Sequence, residues 1–130
     1  MKIYWDSSAL LEALHDKKLR ERLTRGTDGT RIHSLTEIFS TLTKGVNFRY
    51  SPDDAAKMIT DLAEDLDFIE LTTADTLLAI KKAKSLGVRG GRIHDLMHLI
   101  AAQKYLAEVL MTLDEAGFGG FDSEIKIQTP

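Results

Sequence analysis

The chain contains no cysteine. That absence excludes a disulfide framework, a thiolate metal site and a cysteine nucleophile. Proline is nearly as scarce, occurring only at Pro52 and Pro130. Uninterrupted apolar runs reach about four residues, against the ~20 that a membrane helix needs. Met1 to Asp6 reaches an acid too early for a signal peptide. No P-loop is present, and no Gly-x-Gly-x-x-Gly follows the first candidate strand. The expectation is a cytoplasmic globular domain that makes no membrane contact.

What is there suits one domain over residues 1–130. The chain is 43% hydrophobic and 28% charged, with a formal net charge of −3, and a chain of this size can bury a real core without staples. The charge is unevenly spread. Residues 1–50 carry nine Lys/Arg against six Asp/Glu, and residues 51–130 carry eight against fourteen. Lys17, Lys18, Arg20, Arg22 and Arg25 fall close together. Such a cluster either contacts phosphates or forms a solvated helix face. The acids from Asp53 to Asp67 read as a solvent-facing surface.

Apolar spacing predicts alternating short strands and helices. Lys2 to Trp5 reads as a strand, followed by a helix through Ala9, Leu10, Ala13 and Leu14. A short helix covers the basic cluster, and Gly26 to Gly29 reads as a loop. Arg31 to His33 is a brief strand candidate. Leu35, Ile38, Phe39, Leu42 and Val46 recur at helical spacing. Ser51-Pro52 opens a further helix. Asp67 to Leu71 reads as a strand, 74–86 as a helix ended by Gly87, and Ile93 to about Ala107 as an apolar helix. Glu108 to Thr112 and Glu124 to Gln128 complete the strands, with a loop over Gly117 to Gly120. Strands separated by helices predict an α/β fold, three layers deep, with a mainly parallel sheet of about four to five short strands.

In such folds the working edge lies beyond the carboxyl ends of the strands. Asp6, Glu37 and Asp114 each follow a candidate strand, and Asp95 reaches the same edge if its helix starts there. At 100° per residue Glu37 and Asp95 lie away from the apolar stripes of their helices. Four carboxylates in one cleft repel unless a cation neutralises them. Mg²⁺ or Mn²⁺ suits oxygen ligands of this kind. Each acid also has a purely structural reading: Ser34 and Glu37 match a capping box, Asp6 and Asp114 suit N-caps, and Asp95 suits the first turn of a helix.

These residues resemble the motifs of a known family. Ile3-Tyr4-Trp5-Asp6-Ser7-Ser8-Ala9-Leu10-Leu11, Ser34-Leu35-Thr36-Glu37-Ile38, Gly91-Arg92-Ile93-His94-Asp95-Leu96 and Met111-Thr112-Leu113-Asp114 with Phe118 are similar, in that order, to the four acidic motifs of PIN domains. The likeness is to PIN domains of the kind found in VapC toxins of type II toxin–antitoxin pairs. It implies a Rossmann-like sheet and a ribonuclease dependent on Mg²⁺ or Mn²⁺. Asp6, Glu37, Asp95 and Asp114 would be the catalytic, metal-binding acids. Ser7, Ser8 and Thr112 would orient ligands or water. The implied partners are an RNA substrate, a cognate antitoxin protein and further copies of the chain in a homodimer or higher oligomer. The chain departs from a simple phosphate-binding site, because no basic residue stands beside Asp6 or Asp114. Lys44 and Arg92 are the nearest candidates for RNA contact, each sharing a helix face with one of the acids. Attack by water would leave a 5′-phosphate and a 3′-hydroxyl.

Two other functions compete. A non-catalytic PIN-like module for RNA or protein interaction needs no complete acid set. A phosphorylated receiver-like domain needs paired acids after the first strand, but Asp6 is followed by Ser7. His94 and His98 have the i, i+4 spacing used by zinc sites. The alternative for His98 is a packed ring or a neighbour of the cleft. Tyr4 and Trp5 read as core or interface residues.

Overall fold

The computed structural model describes all 130 residues. Five short parallel strands form one sheet in the order β3-β2-β1-β4-β5. They are β1 (Ile3–Trp5), β2 (Asp28–Arg31), β3 (Asp67–Ile69), β4 (Val109–Met111) and β5 (Lys126–Gln128). The helices between them are α1 (Ser7–Leu14), α2 (Lys17–Arg22), α3 (His33–Thr43), α4 (Pro52–Ala63), α5 (Thr73–Lys82) and α6 (Arg92–Lys104). A 3-10 turn spans Glu115–Phe118.

β1 lies at the centre because both its faces are buried. Tyr4 and Trp5 are each fully inaccessible to solvent, and neighbours along a strand point to opposite faces. Trp5 packs with Leu10 of α1, Ile38 and Leu42 of α3, and Leu62 of α4. Tyr4 packs with Leu99, Ala101 and Ala102 of α6. The second face is extended by α5, whose Ala79 meets Leu96 and Met97 of α6. The result is three layers, helix over sheet over helix. Each fully buried aliphatic side chain contributes roughly 1.5–3 kcal/mol.

The local signals explain most helix ends. Ser51 accepts a hydrogen bond from Asp54 N ahead of Pro52, leaving proline where no backbone donor is needed. Thr72 and Asp75 cap α5 reciprocally. That helix stops at Lys82, and the chain turns through Gly87, at φ +68°, before Val88 rejoins the core. α6 ends at Lys104, short of Ala107, with Leu106 in the left-handed region at φ 61°.

Two readings need correction. The second strand is Asp28–Arg31, not Arg31–His33, so the supposed Gly26–Gly29 loop supplies two of its residues. Pairing with β1 sets this register, Ile3 opposite Asp28 and Tyr4 opposite Gly29. A Cβ on Gly29 would lie 2.8 Å from Cζ of Tyr105, so the ring packs where a side chain would stand. Asp28, though charged, is buried and accepts from Trp5 Nε1 at 2.8 Å. The second correction concerns α3, which begins at His33. Its buried face is Ser34, Ile38 and Leu42, while Phe39 and Val46 are exposed. The basic cluster is partly spoken for, since Arg20 pairs with Asp61 and Asp65.

Candidate active site

The carboxyl ends of β1, β2 and β4 and the first turn of α6 bring the four acids to one edge. Asp6 follows β1 and is 6% exposed. Its Oδ1 accepts from Ala9 N at 2.9 Å and from Ser8 Oγ at 2.7 Å. One oxygen therefore caps α1, and no protein hydrogen bond engages the other. Ser8 links Asp6 to the end of β4: its Oγ accepts from Leu113 N at 3.0 Å and lies 3.4 Å from Thr112 Oγ1. Thr112 Oγ1 in turn accepts from Asp114 N at 3.0 Å. β1 and β4 are adjacent in the sheet, which is why residues about a hundred positions apart meet here.

Asp114 caps the 3-10 turn through Oδ1, which accepts from Gly117 N at 3.2 Å. Its Oδ2 and Oδ2 of Asp95 each lie 2.9 Å from the point a Cβ of Gly117 would occupy. The two carboxylates thus face each other over a glycine. Burial raises the Asp95 carboxyl above its ordinary value, and the charge of Asp114 raises it further. Asp6 adds to that effect, while His98 and Arg92 oppose it. Asp95 sits in the first turn of α6, whose helix starts at this edge.

Glu37 is placed differently from the expectation. It is half-buried rather than turned freely outward. Oε2 accepts from Ser7 Oγ at 3.3 Å. Oε1 is fully buried, and Nε2 of His98 lies 3.3 Å from it without hydrogen-bond alignment. Burial, the largest influence, would raise the Glu37 carboxyl. The His98 ring against it and the nearby His33 and Arg31 outweigh burial and hold it below its ordinary value. The capping-box reading fails: α3 has no side-chain cap, and Ser34 is buried inside its first turn, accepting from Thr30 Oγ1 at 2.7 Å.

The two basic candidates diverge. Lys44 is exposed at the far end of α3 from this edge. Arg92 folds back, its guanidinium 4.7 Å above the Phe121 ring and its Nε donating to Gly117 O at 3.4 Å. Arg92 therefore braces the Asp114–Gly117 turn. Three residues outside the predicted set also gather here. His98 and Tyr4 are buried and joined at 2.7 Å, and Arg31 ends β2 with its Nη1 buried and unpartnered. The His94/His98 spacing was the visible signal, but both ring nitrogens of His98 face protein groups, so the two do not form a zinc pair. His94 instead stacks with His33, ring centres 6.2 Å apart.

The donor set is one a hard divalent cation prefers: carboxylate oxygens backed by hydroxyls. Asp95 and Asp114, forced together at a cost in ionisation, are the pair best suited to hold one, with Asp6 and Glu37 beside them. No three His, Asp or Glu side chains converge on one point closely enough to share an ion. Water would have to complete the shell, as Mg²⁺ commonly requires. The acids line none of the surface grooves. The largest of these, about 450 Å³, lies by Gln103, Leu106 and Glu108, away from this edge.

A family model for the PIN domain matches residues 3–121. The chain belongs to the PIN domain family. PIN domains are in general nucleases, so the family supplies the broad activity class for this one. The fold agrees with the crystal structure of PAE2754 from Pyrobaculum aerophilum, at a TM-score of 0.71 and 18% identity over 97% of this chain and 89% of that one. At that identity the likeness speaks for the fold. No curated protein sequence matches this PIN domain. None of its helices is long and apolar enough to cross a membrane.

Proposed function

We propose that this PIN domain is a ribonuclease that hydrolyses phosphodiester bonds with Mg²⁺ or Mn²⁺, and that it is the toxin of a toxin–antitoxin pair. The observation that carries the nuclease reading is the facing pair Asp95 and Asp114. A divalent cation would relieve the repulsion of two carboxylates held this close. When bound, a divalent cation would offset that charge, admit an anionic phosphodiester and acidify a water. The chain's own residues do the rest. Asp6, Glu37, Asp95 and Asp114 hold the charge in place. Ser7 and Ser8 fix the carboxylates of Glu37 and Asp6 that they touch, and Thr112 holds the backbone of Asp114. Arg92 braces the turn that carries Asp114, and Lys44 is left as a peripheral contact for RNA.

Water, not the ribose 2′-hydroxyl, is the expected nucleophile. The products would carry 5′-phosphate and 3′-hydroxyl ends, and 2′,3′-cyclic phosphates would refute this. The test is cleavage of an RNA pool with Mg²⁺, Mn²⁺ or EDTA, by wild type, Asp6→Asn and Asp95→Asn. Cleavage that needs metal and is lost in both folded variants supports the reading. Undiminished cleavage by either variant removes that acid from the mechanism. The toxin role, a cytoplasmic setting, a cognate antitoxin and a homodimer or higher oligomer follow by likeness to VapC proteins. Induced expression that arrests growth, relieved by co-expression of an adjacent reading frame, tests that part.

A second reading is a non-catalytic module for RNA or protein interaction. The lack of three convergent ligands favours it. Titration of metal-free protein with Mn²⁺ separates the two, since an interaction module needs no site lost in Asp95→Asn.

A further inference from the structure

Glu37 is backed by a chain of groups, Tyr4 and His98, to which none of the acidic motifs assigns a role. Tyr4 is fully buried at the centre of the sheet. Its Oη accepts from Arg31 N at 3.3 Å and lies 2.7 Å from Nδ1 of His98. A phenolic hydroxyl accepts and donates at once, so Oη can give its own proton to Nδ1 while it accepts from Arg31 N. A phenol keeps its proton at neutral pH. A neutral imidazole that accepts at one nitrogen carries its hydrogen on the other. That other nitrogen, Nε2, lies 3.3 Å from Oε1 of Glu37. His98 is 3% exposed, and its ring lies between Tyr4 and Glu37. Ser7 holds Oε2 from the opposite side.

We propose that Tyr4 and His98 are positioning residues that hold Glu37 in the orientation its role at the acidic edge requires. In this relay the Arg31 amide donates to the Tyr4 hydroxyl, the hydroxyl to His98 Nδ1, and His98 Nε2–H faces Glu37. The hydroxyl thereby selects the ring tautomer, and the ring presents a donor rather than a lone pair to the carboxylate. Partners of this outer kind typically change metal affinity by 10–100-fold. The inference rests on the cation-dependent reading above and adds two residues to it.

The test is Mn²⁺ affinity of RNA-free protein, read by electron paramagnetic resonance, together with ¹⁵N shifts of the His98 ring in metal-free protein. Wild type should show the Nε2–H tautomer, and Tyr4→Phe should lose that preference. His98→Leu should weaken Mn²⁺ binding by roughly tenfold. His98→Gln, which can offer an amide N–H near the place of Nε2, should recover most of it. In a Glu37→Gln background the His98→Leu effect should vanish, whereas a merely structural histidine would cost the same in both backgrounds. An Nδ1–H tautomer in wild type, or unchanged Mn²⁺ affinity in folded His98→Leu, overturns the proposal and leaves the nuclease reading standing. A wild type that binds no Mn²⁺ overturns the cation site first, and the relay's role with it.

Discussion

Two of the four acids, Asp6 and Asp95, bear on the fold in opposite ways. Asp6 caps α1 through Oδ1 alone. Asparagine caps nearly as well as aspartate, so Asp6→Asn should keep the wild-type melting temperature within about 1–2 °C while abolishing cleavage. Thermal melting beside the RNA assay checks both halves. Asp95 is the reverse case, because its charge opposes folding. Its folded value is raised above the ordinary 3.8, so between those two values the folded protein binds more protons than the unfolded chain. Stability therefore falls as pH rises through that window, and the penalty persists above it. Without divalent metal, Asp95→Asn should melt about 1–3 °C higher than wild type at pH 7, a small gain because the site is partly solvated. The gain should disappear below the ordinary carboxylate value. Melting curves across pH show whether it does. Gly117 is the residue that lets the two carboxylates meet. A Cβ there would stand 2.9 Å from each, so Gly117→Ala should weaken Mn²⁺ binding severalfold while the protein stays folded, which calorimetric titration reads.

At the scale of elements, β2 shows where local composition misleads. Gly26 to Gly29 has the residues of a loop, yet Asp28 and Gly29 pair with β1. The deciding contacts are distant: Trp5 Nε1 on Asp28 and the Tyr105 ring over Gly29. Gly29→Ala should cost about 1–3 kcal/mol by overpacking against that ring, measured by urea denaturation. An unchanged midpoint would mean the ring swings aside. α3 carries the same lesson. Its periodicity was legible, but the stripe is rotated to bury Ser34 and expose Phe39, because Ser34 answers Thr30 on the neighbouring strand. That rotation turns Glu37 toward His98, where helical arithmetic placed it only away from the apolar stripe.

Across the whole molecule, the strand order does what no single motif does. With β1 flanked by β2 and β4, Asp6, Glu37 and Asp114 emerge beside one another, and the start of α6 adds Asp95. A cation held there should stabilise the folded state. At a hundredfold excess over its dissociation constant the gain is about 2.7 kcal/mol, visible as a rise in melting temperature with Mn²⁺ that EDTA reverses and Asp95→Asn abolishes. Periodicity and turn residues are local properties, so the alternation of strands and helices, the parallel sheet and the acids at its edge are legible in the residues alone. The buried face of α3, the bracing of a turn by Arg92 and the place of Tyr4 and His98 behind Glu37 come from packing instead. Those contacts join residues 94 and 61 positions apart, and local spacing carries no information about packing across a sheet.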